Sequence, residues 1–313
     1  MYFGLEKEKT IFFAEHAIGL ICKGSTKKFQ PEQVLEVMPK MILTLVVDIT
    51  NESIHHSYKS IRMIVYAHRL FTLLLEKYPS LYTIIDERLR RFIEEPESRV
   101  KNVTPSIGDL IVLLTVSKTY KWEHLKEAYL SEQMDRQVFW ILKEIPELEK
   151  EDGTIIEDAR IEASFKITIV GYRITMLLKL LNSEIIEKNG KDFEKLNEYL
   201  DARYCRLSDG DEEAFKKKIN EVFEVKGFFG YYDVIEQHEI PDKDTLNKRL
   251  KQAIKNSLEK KYHGEDKKFD EKVKLDEQAQ ELLHSKPTML KYWDEKMQKL
   301  DKEDDDEFWK KIC

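Results

Sequence analysis

Residues 104–149 have the sequence TPSIGDLIVLLTVSKTYKWEHLKEAYLSEQMDRQVFWILKEIPELE, and this stretch decides the fold. Thr104 and Pro105 together are typical of a helix start, because threonine caps the first turn and proline suits the first helical position. Apolar residues then recur every three or four positions, which is the period of one helical face. A second helix follows a short loop, Ser131 predicts the start of a third, and Pro146 forbids its continuation. The stretch therefore predicts three successive amphipathic helices.

The same period extends along most of the chain. Of the 313 residues, 35% are charged and only 11 are glycine and 8 proline, which favours helices over a turn-rich β fold. One apolar stripe runs from residue 31 to 49 straight through Pro39 and predicts a kinked helix or two abutting helices. Further helices are predicted from Ser53 to Leu75 and from Leu81 to Glu94. We expect an all-α protein, a multi-helix array or bundle of antiparallel amphipathic helices that divides into two helical subdomains.

The sequence also predicts the later helices, one from its apolar residues and three from their capping residues. The apolar residues between Phe165 and Leu181 lie on nearly every side, so this segment should be the most buried helix. Aspartate side chains can accept hydrogen bonds from the free backbone N–H groups of a first helical turn. The predicted starts are Asp192, Asp209 with Glu212 as a capping box, and either Asp242 or Asp244.

A shift in composition predicts the domain boundaries. The charged turn EKEDG at residues 149–153 separates a first helical unit, 1–150, from a second, 151–264, that packs on it. From residue 265 to 313 apolar residues become sparse and charges frequent, which predicts a loosely attached helical tail.

Charge and cysteine usage exclude several classes of protein. The net charge of −7 is spread along the chain and argues against a nucleic-acid partner. The three cysteines have no paired spacing, so we expect neither disulfides nor a metal site, and an intracellular, cytoplasmic location. The longest apolar run is interrupted by Arg173 and Lys179, which excludes it as a membrane span. No cofactor is expected, and the sequence does not set an oligomeric state.

A cysteine near the N-terminus is one chemical candidate. Residues 11–22, IFFAEHAIGLIC, predict a short helix packed on the core, with Cys22 at its end. A reactive thiol needs an electropositive setting, which Lys23, Lys27 and Lys28 could supply. Cys22 is therefore the candidate nucleophile if the chain is an enzyme.

His68 is the other chemical candidate. It lies on the apolar stripe of the helix predicted from Ser53, where it could act as a general base. No carboxylate or cysteine with compatible spacing lies on that helix to orient it, so the pattern favours a core histidine with satisfied hydrogen bonds.

Large aromatic residues are candidates for binding. Trp122, Tyr129 and Trp140 lie at helical spacing in the central stretch, and this pattern favours core packing over a binding groove. On that interpretation Trp140→Ala should cost about 3–5 kcal/mol of stability. In the tail, Trp293 and Trp309 are possible anchors for the protein body or for a partner.

Three segments carry a resemblance to a known family: PSIGDLIVLLTVS (105–117), KWEHLKEAYL (121–130) and DRQVFWILKEIPELE (135–149). With them, the run from Pro31 to His263 is similar to an all-helical region that accompanies the ubiquitin-conjugating (UBC) fold in some large eukaryotic proteins. The UBC domain itself is absent, because its His-Pro-Asn tripeptide and following cysteine have no counterpart. The resemblance implies an accessory module that positions partners in a ubiquitin-like pathway and performs no thioester chemistry.

Two functions from different classes follow. The first is a non-catalytic helical module, repeat-like or scaffold-like, that binds a protein partner. The second is an enzyme whose site, built on Cys22 as nucleophile or His68 as base, is assembled from distant positions. The absence of a recognisable catalytic motif favours the first.

Overall fold

The computed structural model describes residues 7–22, 29–50, 58–149, 157–189, 192–202, 206–236 and 240–262. Within these ranges it contains twelve α-helices, short 3₁₀ and π turns, and no β-strand, which confirms the all-α expectation. The helices are α1 (Lys7–Ile21), α2 (Val34–Ile49), α3 (Tyr58–Lys77), α4 (Leu81–Glu94), α5 (Gly108–Val116), α6 (Trp122–Glu144), α7 (Glu157–Ile167), α8 (Ile169–Leu180), α9 (Phe193–Asp201), α10 (Asp209–Phe223), α11 (Phe228–Glu236) and α12 (Lys243–Glu259). The predicted tail, residues 265–313, lies outside the described residues.

Several helices begin where their capping residues predict. Helix α4 has the predicted bounds. Asp192 caps α9, where its Oδ1 accepts a hydrogen bond from the backbone N–H of Lys195 at 3.1 Å. Asp242, not Asp244, caps α12 and accepts from Thr245 N at 2.8 Å. These predictions are confirmed. The caps could be predicted from the sequence because an N-cap hydrogen bond joins residues only three positions apart.

The predicted start of α10 is wrong by one residue. Ser208 is the N-cap, and its Oγ accepts from Asp211 N at 3.2 Å. Asp209 is the first helical residue, and Glu212 forms no capping box with it. Glu212 is buried and accepts from Arg62 of α3 at 2.9 Å (Nε to Oε1) and 2.8 Å (Nη2 to Oε2). The bidentate ion pair with α3 takes the carboxylate that a local cap would have used.

Helix α2 passes through its proline as one helix, so the interpretation as two abutting helices is wrong. Pro39 has no N–H and cannot donate to the carbonyl of Leu35, four residues earlier. Arg88 of α4 supplies a donor instead, with Nη1 3.5 Å from Leu35 O, while its Nη2 binds Glu36 at 2.7 Å. A side chain from a neighbouring helix thus compensates for the missing backbone bond.

The central stretch forms two helices rather than three. Thr104 is no N-cap, because its hydroxyl donates to Ser98 O at 2.8 Å and α5 begins only at Gly108. Ser131 starts no new helix, because α6 runs unbroken from Trp122 to Glu144. No glycine or proline interrupts residues 122–144, so nothing local ends the helix at Ser131.

The two stripes of α6 differ because its two halves pack in different surroundings. The first stripe contains Leu125 and Tyr129, and the second begins at Met134, five positions later instead of three or four. Such an offset moves the buried side around the helix axis. In the sequence the offset resembles the junction of two helices.

The long apolar helix predicted from Phe165 to Leu181 is interrupted at Thr168. Helix α7 ends at Ile167 and α8 begins at Ile169. The hydroxyl of Thr168 donates to Ser164 O at 2.7 Å, a bond to the preceding turn that is typical of bends in helices. Helix α8 is extensively buried toward its C-terminal end, but the prediction that this segment is the most buried helix is wrong, because α5 is buried at every position from Leu110 to Val116.

The contacts between residues group the chain into two compact units that are discontinuous in sequence. Among the described residues, unit 1 comprises those within 7–133, 170–225 and 230–236, and unit 2 those within 134–169, 226–229 and 240–262. The boundaries predicted from composition, at residues 150 and 264, divide the chain sequentially and stay a prediction. A shift in composition marks a change along the chain, but it does not show which distant segments pack together in one unit.

In unit 1, α3 carries polar side chains that reach four other helices. These links are Arg62 to Glu212 in α10, His68 to Thr115 in α5, Thr72 to Asn197 in α9, and Glu76 to Lys7 in α1. His68 and Thr72 are 2% and 1% exposed, so their bonds lie in the interior. Buried polar groups without partners cost about 1–3 kcal/mol each. The links therefore favour this helix arrangement over others that bury the same apolar area.

A second interior network joins three helices of unit 1 around Gln133 of α6. Its Nε2 donates to Thr175 Oγ1 at 2.8 Å and to Gly171 O at 3.1 Å, both in α8. Its Oε1 accepts from the hydroxyl of Tyr231 in α11 at 2.7 Å. Burial raises the pKa of Tyr231 well above its usual value, so the hydroxyl keeps the proton that it donates. One amide thus connects α6, α8 and α11.

We expect Gln133→Leu to lower the free energy of unfolding by about 1–3 kcal/mol, because it leaves the buried hydroxyl of Tyr231 without its acceptor. Tyr231→Phe should have a similar effect, and the double variant should lose less than the sum. Urea unfolding of the four proteins measures this double-mutant cycle. Additive losses would show that the two side chains do not act as a pair.

Candidate interaction surface

Helix α1 is apolar on two opposite sides. Its inner side buries Ile11 and Ile18, which are 6% and 3% exposed. Its outer side carries large apolar residues at Phe12, Phe13, Leu20 and Ile21, which are 64, 57, 66 and 63% exposed. A surface helix of a globular protein normally has charged or polar residues on the side opposite the core. The outer side of α1 therefore departs from the usual pattern.

The exposed residues form one continuous surface. At about 100° per residue, positions 12, 13, 16, 17, 20 and 21 fall within one half of the helix circumference. His16 and Ala17 in the middle are also exposed. The rings of Phe12 and Phe13 pack edge to face, with their centres 5.7 Å apart. We call this surface, residues 12, 13, 16, 17, 20 and 21, the outer face.

Polar contacts hold α1 against the end of α3. Lys7 Nζ lies 2.5 Å from Glu76 Oε2. Glu15 Oε1 accepts from the hydroxyl of Tyr78 at 2.7 Å and also pairs with Lys77. Contacts at residues 7 and 15, together with buried Ile18, hold the helix along its length. The outer face is thus presented by a docked helix and not by a free segment.

Cys22, the candidate nucleophile, immediately follows α1. It is half-buried, and its backbone N–H donates to Ile18 O at 3.0 Å, which continues the helical pattern. The lysines expected to activate it, Lys23, Lys27 and Lys28, lie outside the described residues. The structure therefore places Cys22 on the inner side of α1, near Ile18, and its role as nucleophile stays a prediction.

His68, the candidate base, is an interior residue. The hydroxyl of Thr115 donates its single proton to Val112 O at 2.6 Å, so its oxygen accepts from His68 Nε2 at 3.0 Å. Burial, aided by the nearby charge of Arg69, lowers the pKa of His68 to about 4. The ring is neutral at physiological pH, makes a hydrogen bond and is 2% exposed. This environment matches the core histidine that the stripe favours.

The buried, neutral His68 predicts a loss of stability in acid. Between about pH 6.5 and about 4 the unfolded chain binds a proton that the folded chain excludes, so the free energy of unfolding falls by up to roughly 3 kcal/mol as pH decreases. His68→Gln keeps a hydrogen-bond donor and removes the titration, so its unfolding free energy should vary less over this range. Urea unfolding at several pH values tests this, with the exposed His16→Gln as control. Equal pH dependence in wild type and His68→Gln would contradict it.

Trp122 and Tyr129 are interior residues, each 2% exposed. Trp122 Nε1 donates to Ile235 O at 2.7 Å, and its ring meets that of Tyr129 edge to face at 5.8 Å. The hydroxyl of Tyr129 lies 3.3 Å from Thr175 Oγ1. Neither side chain offers surface to a partner in this structure. Their places match the favoured prediction of core packing.

Trp140 is not a core residue, so that part of the prediction is wrong. It is 36% exposed, its ring contacts Phe139 edge to face at 5.0 Å, and Lys143 Nζ lies 5.3 Å from the ring centre. The buried side of this half of α6 is formed by Val138, Ile141 and Leu142. At about 100° per residue, Trp140 lies on nearly the opposite side of the helix from the middle of that group, which explains its exposure.

The two tryptophans of α6 should therefore respond differently to truncation. Trp122→Ala should lower the free energy of unfolding by about 3–5 kcal/mol, because it creates a cavity and leaves Ile235 O without its donor. Trp140→Ala should lower it by only about 1 kcal/mol. Urea unfolding of the two variants gives both values. A loss at Trp140 as large as that at Trp122 would show that its ring is core.

The outer face was missed in the sequence because its residues were assigned to the core. The segment IFFAEHAIGLIC has apolar side chains around the whole helix, and a helix of that kind is usually buried on all sides. A signal for a second surface was present in the sequence. The apolar residues Phe13 and Leu20 lie roughly opposite Ile11 and Ile18 on a helical wheel, so one docking side cannot cover both pairs.

Trp293 and Trp309, the remaining binding candidates, lie outside the described residues. Among the described helices, none combines the length and the apolar run that a bilayer crossing requires. In the same part of the chain, no group of three or more His, Cys, Asp or Glu side chains could hold a metal ion. Comparison of the chain with protein-family models, with curated proteins and with solved structures finds no match. The assignment of the outer face therefore rests on its own geometry.

Proposed function

We propose that the chain is a non-catalytic helical protein-interaction or scaffold module, and that the outer face of α1 is its contact surface. The observation that carries this proposal is the exposure of four large apolar side chains on one helix, at 57 to 66%. Contiguous exposed apolar patches in soluble proteins mark interaction sites, whereas single exposed apolar residues are ordinary. Other exposed apolar residues of unit 1, such as Met63 and Val103, lie on different elements.

The attachment of α1 supports the same function. Because Lys7 and Glu15 pair with residues at the end of α3, the outer face keeps one orientation without a partner. A preformed surface loses less conformational entropy on binding than a segment that must first fold. Phe12 and Phe13 provide large contact area with few rotatable bonds, which suits them as anchors.

The accessory role in a ubiquitin-like pathway is the finer part of the proposal. It is supported by the resemblance of residues 31–263 to the helical region beside the UBC fold. Helix α1 precedes that run, so its outer face would add a contact surface that the resemblance does not include.

The alternative as an enzyme has weaker support. A general base must reach its substrate, and His68 is 2% exposed and already hydrogen-bonded to Thr115. Its pKa of about 4 also makes it a weak base at neutral pH. Cys22 is half-buried at the end of α1, on the same side of the helix as buried Ile18.

Capture of partners by the full chain tests the proposal. The tagged chain is cross-linked in lysate and its captured proteins are quantified by mass spectrometry, in parallel for wild type, Leu20→Glu and Val103→Glu. Leu20 and Val103 are both more than half exposed, at 66 and 51%, so each glutamate adds the same charge without filling the core. We expect Leu20→Glu to lower capture of a defined set of proteins at least about tenfold, since a central charge is strongly unfavourable in an apolar contact.

The control variant, Val103→Glu, shows whether a loss of partner capture is specific to the outer face. Val103→Glu should capture the same set as wild type. Equal capture by wild type and Leu20→Glu would reject the outer face as the contact surface. A captured set without any component of a ubiquitin-like pathway would reject the accessory role and leave the interaction function in place.

A further inference from the structure

The outer face has a spacing that makes it complementary to itself. Its large residues form two pairs, Phe12 with Phe13 and Leu20 with Ile21, separated by His16 and Ala17. The two pairs lie at equal distances, about four residues or roughly 6 Å along the axis, from the midpoint between residues 16 and 17. A two-fold rotation through that midpoint therefore exchanges the aromatic pair and the aliphatic pair.

We propose that the outer face binds the outer face of a second copy of this chain, with the two α1 helices antiparallel. This inference rests on the proposed function and names the partner of the same surface. In a two-fold interface residue i contacts residue j of the second copy, and j contacts i. Phe13 then lies opposite Leu20 of the second copy and the two Ala17 side chains lie side by side, while Phe12 and Ile21, about 180° apart around the helix, lie at the two edges of the contact.

The antiparallel order suits the sizes of the side chains. It sets Phe13 against the aliphatic Leu20, and it brings the small Ala17 of both copies close to the two-fold axis. Small residues at the crossing point let two helix axes approach closely, toward the lower end of the usual range of about 8–10 Å. A parallel order would place the bulky Phe12 and Phe13 against their counterparts in the second copy. The smaller Leu20 and Ile21 of the two copies would then be held apart, with a gap between the helices.

Charge also favours this pairing. The exposed charged residues Glu8 and Lys9 lie outside the overlap of residues 12–21, so no like charges face each other. An anionic membrane surface is a poorer fit, because the chain carries a net charge of −7. Amphipathic membrane helices usually carry lysine and arginine along their polar side, whereas Glu15 of α1 points toward the protein and pairs with Lys77.

The exposed area indicates a weak, reversible dimer. Four large side chains, each about 60% exposed, present roughly 500 Å² per copy. The pair would cover about 1,000 Å², near the lower limit for a specific interface. We therefore expect association in the range of tens of micromolar and not a permanent dimer.

Sedimentation equilibrium of the full chain tests the association. Wild type should pass from monomer to dimer between about 1 and 200 µM, a range set by the area. Leu20→Glu should weaken the association at least about tenfold, because it sets two charges in apolar contacts, and Val103→Glu should leave it unchanged. A monomer throughout this range, or an equal dimer of Leu20→Glu, would overturn the inference.

Disulfide trapping tests the antiparallel order in a chain whose three native cysteines are replaced by serine. Ala17→Cys should cross-link to itself under mild oxidation, because residue 17 lies next to the two-fold axis. Phe12→Cys should not, since its two copies lie roughly 13 Å apart along the axis, beyond the reach of a disulfide. A mixture of Phe13→Cys and Leu20→Cys chains should give the mixed dimer, because these two positions face each other at the centre of the contact. Strong self-cross-linking of Phe12→Cys would overturn the antiparallel pairing.

Other occupants of the outer face give distinguishable results. A monomeric chain whose partner capture is lost in Leu20→Glu would overturn the second-copy inference and keep the proposed function. A monomeric chain that floats with vesicles of phosphatidylcholine and phosphatidylserine, in a manner abolished by Leu20→Glu, would overturn it in favour of a lipid surface. If Leu20→Glu changes none of these measurements, both the inference and the proposed function fail.

Discussion

A polar side chain carried into an apolar interior must find a hydrogen-bond partner there, and this constraint governs the arrangement of unit 1. Helix α3 places His68 and Thr72 on its buried stripe, where leucine or isoleucine would bury as much area. Their partners, Thr115 in α5 and Asn197 in α9, lie on helices that are distant in sequence. Apolar contacts depend little on direction, whereas each of these bonds has one geometry. The polar residues of α3 therefore specify which helices surround it, and its apolar residues supply most of the driving force.

The parts of the fold that the sequence predicts are those decided by neighbours in the chain. Asp192 and Asp242 cap their helices through bonds three residues long, and such bonds form whatever packs nearby. Ser131 has the same capping chemistry, yet α6 continues through it, and no glycine or proline ends the helix there. Thr104 likewise bonds to Ser98, six residues earlier, instead of capping α5. A capping residue thus predicts a helix start only where tertiary contacts do not compete for its side chain.

The candidate site was less predictable than the helix starts. Hydrophobic periodicity shows which residues share one side of a helix, but it does not show whether another part of the protein covers that side. Trp122 and Trp140 belong to one helix, but Trp122 donates to the carbonyl of Ile235 in the interior, whereas Trp140 lies away from the buried side formed by Val138, Ile141 and Leu142. The same limit applies to α1, where Phe12 and Ile18 have similar hydropathy and opposite exposure. The prediction that His68 is a core histidine is confirmed, and it rested on the chemistry of its neighbours. A histidine on an apolar stripe without a nearby carboxylate has nothing to raise its pKa, and burial then keeps it neutral.

The exposure of the outer face has a thermodynamic consequence for α1 itself. A helix of 15 residues is marginal in water by its own propensity, and α1 buries only Ile11 and Ile18 fully against the rest of the protein. Any partner that covers Phe12, Phe13, Leu20 and Ile21 adds contacts to the same helix, so binding and docking of α1 stabilise each other. The ion pair of Lys7 with Glu76 and the bond of Tyr78 to Glu15 join α1 to α3 without using the outer face. They keep the helix in place before binding, and the apolar residues on its outer face stay available for the partner.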